Sequence, residues 1–229
     1  MQKENIAQPL QPQEEQHLYT EGIDYAQTGN DSIWGTEDRL TLDALIQSDI
    51  HGRWLNLCSG DGRFNATLLQ RADTVVACDA DQGALNKLLQ LTKYDFKPKL
   101  KLVTCNIVEP LPFDDTSFEG IFCTGTLHLF PRLIFKKILH ELDRMLRKDG
   151  LIIIDFATDI KRVRSNGSLY TVKGEPLYTI DEALNFLKEC FVAYETVVQT
   201  ASVEPEEVHV RGETYLFSSN FILIQARKK

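Results

Sequence analysis

The chain has no excess of positive charge, no long apolar run and no paired cysteine spacing, and each absence removes a class of function. Its 25 Lys plus Arg stand against 33 Asp plus Glu, a formal net charge of −8. Proteins that bind duplex nucleic acid carry a basic face that neutralises phosphates, so nucleic acid is not expected as a partner. No stretch approaches the ~20 apolar residues needed to span a bilayer. The opening MQKENIAQPLQPQEEQ has no apolar segment of the signal-peptide kind. No membrane association is expected, and a cytoplasmic location is. The five cysteines, Cys58, Cys78, Cys105, Cys123 and Cys190, are odd in number and never spaced C-x-x-C, which argues against a disulfide framework or a zinc clip. Four of them end strand-like runs whose tips a parallel sheet would gather at one edge. Buried free thiols are the favoured reading over a metal site, and no metal is expected.

What remains is ordinary globular material: 229 residues, 43% hydrophobic and 25% charged, enough for one large domain. Residues 1–16 hold five Gln and two Pro and read as a disordered leader. Residues 17–229 read as a single domain. Within it, 17–50 form a helical lid carrying Tyr19, Tyr25 and Trp34 among glycines, and 51–158 form the ligand-binding core. Residues 159–229 supply a substrate-side loop, a helix and antiparallel strands. The apolar runs W54-LNLC, T74-VVAC, L100-KLVTC, F118-EGIFC and L151-IIIDF alternate with helical patterns near 64–71, 82–94 and 133–146. That rhythm predicts β-α-β units and a parallel sheet buried on both faces. After it come a basic loop at 161–173 (Lys161, Arg162, Arg164, Lys173), a helix at 180–190 and strands at 194–200 and 220–226. The last two strands are close in sequence with no crossover helix, which predicts antiparallel pairing. Their linker, 201–217, has room for a small hairpin or flap. The expected fold is α/β, a doubly wound, mostly parallel seven-stranded sheet with an antiparallel final strand.

The segment W54-LNLCSGDGRF runs from a strand through Gly60-Asp61-Gly62 into a helix, which places free backbone N–H groups at a helix start, where an anionic group binds well. A dinucleotide site needs G-x-G-x-x-G, and the third glycine position here is Asn65. Asp79, 19 positions past Gly60 at the tip of the second strand, can accept both hydroxyls of a ribose. Two glycines and a second-strand acid suit a nucleoside with a compact charged end, a description that S-adenosylmethionine meets.

The order W54-LNLCSGDGRF, V75-VACDAD, C105-NIVEPLPFDDTSFEGIF, T126-LHLF, L139-HELDRMLRKDGLIIIDF resembles the class I S-adenosylmethionine-dependent methyltransferases, above all the small-molecule group that includes quinone-biosynthesis enzymes. The resemblance spans about Trp54 to Phe156. It implies that Cys58, Ser59, Gly60 and Gly62 pass along the methionine portion, that Asp79 holds the ribose and that Ala80 lies beside adenine. Asn106 would face the adenine amine, the Ile107 backbone the ring nitrogen, and Cys123 and Thr124 the sulfonium. Arg39 stands where some relatives bind the methionine carboxylate. The usual D-L-G-C-G-x-G is here Asn56-Leu57-Cys58-Ser59-Gly60-Asp61-Gly62, one acid and one glycine fewer. Glu119 and Asp149 also replace the more usual Asp and Pro or Gly.

Methyl transfer from a sulfonium needs mainly alignment and desolvation. His128, just past the fourth strand, is the candidate base, and Asp155 can orient the acceptor. Tyr170 and Tyr178 could stack an aromatic acceptor or simply pack the next helix, and His140 and Glu141 read as a solvated face. The expected activity is methylation of a small, anionic or aromatic acceptor. The alternatives are a non-catalytic cofactor-binding or regulatory protein, and an RNA or protein methyltransferase docking through the basic loop.

Overall fold

The computed structural model describes residues 38–172, 174–210 and 213–229. The leader, Tyr19, Tyr25, Trp34 and the rest of the lid before Asp38 lie outside the described residues, as does Lys173. In chain order the described elements are α1 (Asp38–Gln47), β1 (Arg53–Leu57), α2 (Asn65–Arg71), β2 (Thr74–Asp79), α3 (Gln82–Leu91), β3 (Leu100–Thr104), β4 (Phe118–Cys123), α4 (Arg132–Met145), β5 (Leu146–Arg164), α5 (Ile180–Cys190), β6 (Tyr194–Val210) and β7 (Glu213–Lys228). Single turns of tighter helix cover Tyr94–Lys99 and Leu127–Leu129.

The strands form one seven-stranded sheet in the order β3-β2-β1-β4-β5-β7-β6. The pairs from β3 to β5 are parallel, and β7 lies antiparallel between β5 and β6. The chain builds outward from β1 through β2 to β3, then returns to the other side of β1 with β4. The crevice above the C-terminal ends of β1 and β4 is therefore the place where a doubly wound sheet takes its ligand.

Alternation along the central strands fills both faces. Leu55, Leu57, Ile121, Ile152, Ile154 and Phe156 join one apolar cluster with α4 and α5. Trp54, Phe122, Leu151 and Ile153 join another with α1 and α2. Asp81 caps α3 by accepting the Gly83 and Ala84 N–H groups, and Thr179 with Glu182 forms a reciprocal capping box on α5. Glu119 ties three elements at the opposite end of the sheet: it accepts the Arg53 N–H at 2.6 Å and pairs with Arg147. The Arg71 guanidinium gives hydrogen bonds of 2.6–2.7 Å to the carbonyls of Leu45, Ile46 and Ser48. The described end of the expected lid is thus docked on α2, with Leu45 buried beneath it.

Three expectations are corrected. Residues 161–164 are not loop: β5 runs on to Arg164, with Arg162 opposite Phe217 and Arg164 opposite Tyr215. Residues 201–217 hold no separate flap, since β6 and β7 continue as one long hairpin from Tyr194 to Lys228. Pro205 lies within β6, which is an edge strand. The ladder shifts register between Val203 and Glu206, the setting in which a sheet tolerates proline. Cys78 and Cys105 are not free thiols: they are disulfide-bonded, with Cα atoms 6.1 Å apart. Their separation of 27 residues is closed by the β2–β3 pairing, which no local spacing announces.

Gly120 lies against the indole of Trp54, so closely that any Cβ there would overlap the ring, and Trp54 is 1% exposed. Gly120→Ala should destabilise the fold by about 3 kcal/mol, the upper part of the range for overpacking. A urea denaturation midpoint equal to that of the unsubstituted chain would refute this account of the β1–β4 contact.

Candidate active site

The turn between β1 and α2 is built from left-handed residues. Cys58 (φ 53°), Gly60 (φ 51°) and Gly62 (φ 89°) bend the chain over the sheet edge. For Cys58 this is a conformation that costs a side-chain-bearing residue of order 1 kcal/mol, and its sulfur, hydrogen-bonded to Cys123, helps to hold it there. Gly62 has a packing reason as well, because a Cβ would come within 2.6 Å of Leu88 on α3. The turn is laced to β2: the Ser59 N–H donates to the Cys78 carbonyl at 3.1 Å, and the Gly60 N–H to Asp79 Oδ2 at 2.8 Å.

Asp79 accepts a second N–H, that of Asp81, on Oδ1 at 2.9 Å, and its own carbonyl takes the Cys105 N–H at 3.0 Å. Burial pushes its carboxyl above the usual range, against the backbone hydrogen bonds that pull it down. A carboxylate offers about four lone-pair sites, so two remain for a ribose diol after both N–H groups are served. Ala80 beside it is exposed, and Ile107 is buried across the β3 turn. Asn106 is half-buried, and its Oδ1 accepts the Val108 N–H at 3.2 Å. It shapes its own turn first, and one lone pair of its oxygen is left for an adenine amine.

Asn56, which replaces the usual acid, faces the opposite side of the sheet from Leu55 and Leu57 and donates to Asn65 Oδ1 at 3.4 Å, both residues being buried. It carries no charge to the crevice. Arg39 is exposed in the first turn of α1, and no described contact ties it to the turn after β1. Its role rests on the resemblance alone.

On the other side of the crevice, Cys123 is fully buried at the end of β4, its thiol pushed well up first by the Cys58 hydrogen bond and then by burial. Half-buried Thr124 follows. The Gly125 N–H donates to Asp155 Oδ1 at 2.7 Å, joining the β4 and β5 tips. His128 is 7% exposed and sits edge-on to Phe156 at 6.3 Å, and its Nδ1 has no hydrogen-bond partner among the described residues. Burial first, and then the nearby Arg162, lower its pKa to about 3.

Of the basic residues expected around 161–173, Arg162 and Arg164 are each neutralised by a glutamate, and Lys173 lies outside the described residues. Arg162 is buried and paired through both terminal nitrogens with Glu175 at 2.7 and 2.8 Å, and Arg164 pairs with Glu213 at 2.7 Å. Strand extension brought those acids into reach, which the local count of charges could not show. Tyr178 packs against Phe156 and donates to the Phe130 carbonyl at 2.9 Å, and Tyr170 stacks on Tyr215. Both tyrosines serve packing. Glu141, expected on a solvated face, instead accepts the Leu111 N–H and pairs with Arg144, which also bonds the carbonyls of Leu111 and Phe113.

Ser59, which the resemblance places along the methionine portion, has its Oγ buried in the turn with no partner among the described residues, a position that a hydrogen-bonding ligand would satisfy.

The family profile described as a methyltransferase domain matches residues 55–154. Over those residues the chain is similar to that family. Solved structures share this methyltransferase fold at low identity. The YcgJ protein from Bacillus subtilis is 14% identical with a TM-score of 0.61, over 83% of this chain and 99% of that one. DhpI, solved with SAM and HEP, is 15% identical with a TM-score of 0.64, over 94% and 96%. Phosphoethanolamine N-methyltransferase 1 of Haemonchus contortus, solved with phosphoethanolamine and S-adenosylhomocysteine, is 14% identical with a TM-score of 0.57, over 81% and 42%. A search of the curated proteins finds no match. Among the described residues no helix is long and apolar enough to cross a membrane.

A ribose diol would find its full set of acceptors on Asp79 only while the carboxyl is ionised. S-adenosylhomocysteine affinity should therefore fall as pH drops through a value above the ordinary 3.8. Asp79→Asn, which turns an amide N–H toward a backbone N–H, should lose at least about tenfold in affinity and about 1–3 kcal/mol in stability. Calorimetry with the Asn variant giving an unchanged Kd would refute this role.

Proposed function

We propose that the chain moves the methyl group of S-adenosylmethionine, by in-line displacement, to a small-molecule acceptor seated between the tips of β4 and β5. The reading is carried by the buried, unpartnered His128 Nδ1 beside the Gly125–Asp155 clasp, a polar atom waiting for a donor on the acceptor side of the crevice. The unpartnered Ser59 Oγ supports the cofactor side in the same way.

When bound, S-adenosylmethionine supplies an electrophilic methyl on a sulfonium, which leaves as a neutral thioether. The backbone of Ser59, Gly60 and Gly62 would carry the methionine portion, Asp79 the ribose and the Ile107 backbone the adenine edge. Cys123 and Thr124 would border the sulfur. The apolar wall of Phe156 and Leu127 keeps water from the acceptor, and both are buried. Asp155 holds the Gly125 turn and so sets the width of the acceptor opening. His128, which the sequence suggested as a base, is poorly suited to take a full proton because burial and Arg162 disfavour its charged form; its Nδ1 would instead accept a hydrogen bond from an acceptor hydroxyl and orient it.

The charge pairing favours an uncharged aromatic acceptor over a strongly anionic one. Arg162 and Arg164 are each matched by a glutamate, so the field left to draw an anion is small. A phosphate-bearing acceptor like that of the Haemonchus contortus enzyme is the contrasting case.

The test is calorimetry with S-adenosylhomocysteine, followed by turnover on a panel that includes phenols and phosphoethanolamine. Binding with transfer to a phenol is expected. No heat overturns the reading, and transfer to phosphoethanolamine alone overturns the acceptor class. His128→Leu, which removes the Nδ1 acceptor, should lower kcat by about tenfold, on the order of one lost hydrogen bond to the acceptor, and leave S-adenosylhomocysteine affinity unchanged; an unaltered kcat would remove this positioning role.

His128 also makes a pH prediction. Its folded pKa of about 3 lies below its ordinary 6.5, so the unfolded chain binds the extra proton. Stability present above pH 6.5 is then lost as pH falls from 6.5 toward 3. Thermal midpoints should decline over that window in the unsubstituted chain and decline less in His128→Gln.

A further inference from the structure

Four neighbouring strands of the sheet each bring a cysteine to the same edge. In spatial order they are Cys105 after β3, Cys78 in β2, Cys58 after β1 and Cys123 at the end of β4. The Cys58 and Cys123 thiols are hydrogen-bonded to each other, and Cys78 and Cys105 are joined as a disulfide. Among the described residues no group of three or more His, Cys, Asp or Glu is placed to hold a metal ion, so the row is one of thiol chemistry.

The bonded pair sits directly beside the adenosyl-contacting residues. Cys78 precedes Asp79 and Cys105 precedes Asn106, so the disulfide links the ribose acid to the adenine-side turn through one residue on each strand. That link joins unequal partners. β2 is central, with Val75, Val76, Ala77 and Cys78 buried, whereas β3 is an edge strand paired only to β2, and none of its five residues is buried. The last ladder bond between them is the Cys105 N–H to the Asp79 carbonyl. Beyond it the two chains part, toward α3 and toward the Asn106–Val108 turn. An edge strand with so little buried surface opens locally at low free energy, and the covalent tie is what keeps its tip in register.

We propose that the Cys78–Cys105 disulfide is a redox-controlled clasp on the cofactor seat: closed, it presents Asp79 and the Asn106–Ile107 turn together, and reduced, it frees the β3 tip and weakens cofactor binding. The proposal rests on the adenosyl reading of that seat. Cys105 is half-buried and Cys78 fully buried, so a dithiol reductant attacks the Cys105 sulfur. Its thiolate forms a mixed disulfide there, and Cys78 leaves as a thiolate that takes up a proton. The second thiol of the reductant then attacks its own bonded sulfur and releases Cys105. One disulfide and one dithiol become one dithiol and one disulfide, two electrons passing to the protein.

By linkage, cofactor and disulfide must favour each other by the same factor. The experiment titrates thiols in the denatured chain before and after dithiothreitol, then measures S-adenosylhomocysteine affinity by calorimetry in both states. Three free thiols before reduction and all five after are expected. Affinity should be at least about fivefold weaker in the reduced form, the lower end of ordinary coupling. Saturating S-adenosylhomocysteine should raise the dithiothreitol ratio needed for half-reduction by the same factor. Cys105→Ser should bind like the reduced chain and ignore dithiothreitol. Five titratable thiols before reduction, or equal affinity in both states, overturns the clasp and leaves the cofactor seat standing. A chain that binds in neither state overturns the seat and the clasp with it.

Discussion

The Asp79 carboxylate accepts the Gly60 N–H through one oxygen and the Asp81 N–H through the other, and so ties the turn after β1 to the turn after β2. Everything the crevice offers a nucleoside depends on that bridge. It orients the left-handed Gly60 turn, starts the cap of α3 and places a carboxylate at the strand tip. The bridge also works against burial, which disfavours the charge it needs. Two ribose hydroxyls donating to the remaining lone pairs would relieve that tension, so under the proposed function part of the cofactor affinity would come from an incompletely solvated carboxylate.

The parallel half of the sheet was legible because its information is local. Runs such as T74-VVAC and L151-IIIDF are short, uniformly apolar and separated by helical periodicity, which only strands buried on both faces require. Asp79 was legible for the same reason, standing at a strand end a fixed distance from a glycine turn. The antiparallel half was not, since its pairing is a property of the hairpin. The edge strand β6 carries Pro205 and the exposed Glu195 and Glu207, as edge strands do to discourage pairing with other chains, and composition alone reads such a stretch as linker.

Charge was misread for a related reason. Lys161, Arg162 and Arg164 have no acid near them in sequence from 160 to 173, yet the extended strand aligns Arg164 with Glu213 and brings Arg162 to Glu175. Local net charge is informative about a solvated loop and says little once the segment pairs across a sheet. The disulfide escaped in the same manner. Cys78 and Cys105 meet only because β2 and β3 are neighbours, a topological fact that residue spacing does not encode.

The buried Arg162–Glu175 pair then bears on the chemistry. Glu175 is 1% exposed and Arg162 5%, and a pair so deep usually recovers little more than its own desolvation cost. Stability is thus a weak reason for its presence, and its effect on His128 is a better one. A proton on His128 would place a second cation beside Arg162 in a dry region, with Phe156 on one side, so the imidazole is kept in its neutral form well below the pH at which a free histidine would charge. A histidine held that way stays a lone-pair donor across the physiological range. Its lone pair can accept a hydrogen bond from an acceptor hydroxyl, and it adds no charge that would oppose a bound sulfonium.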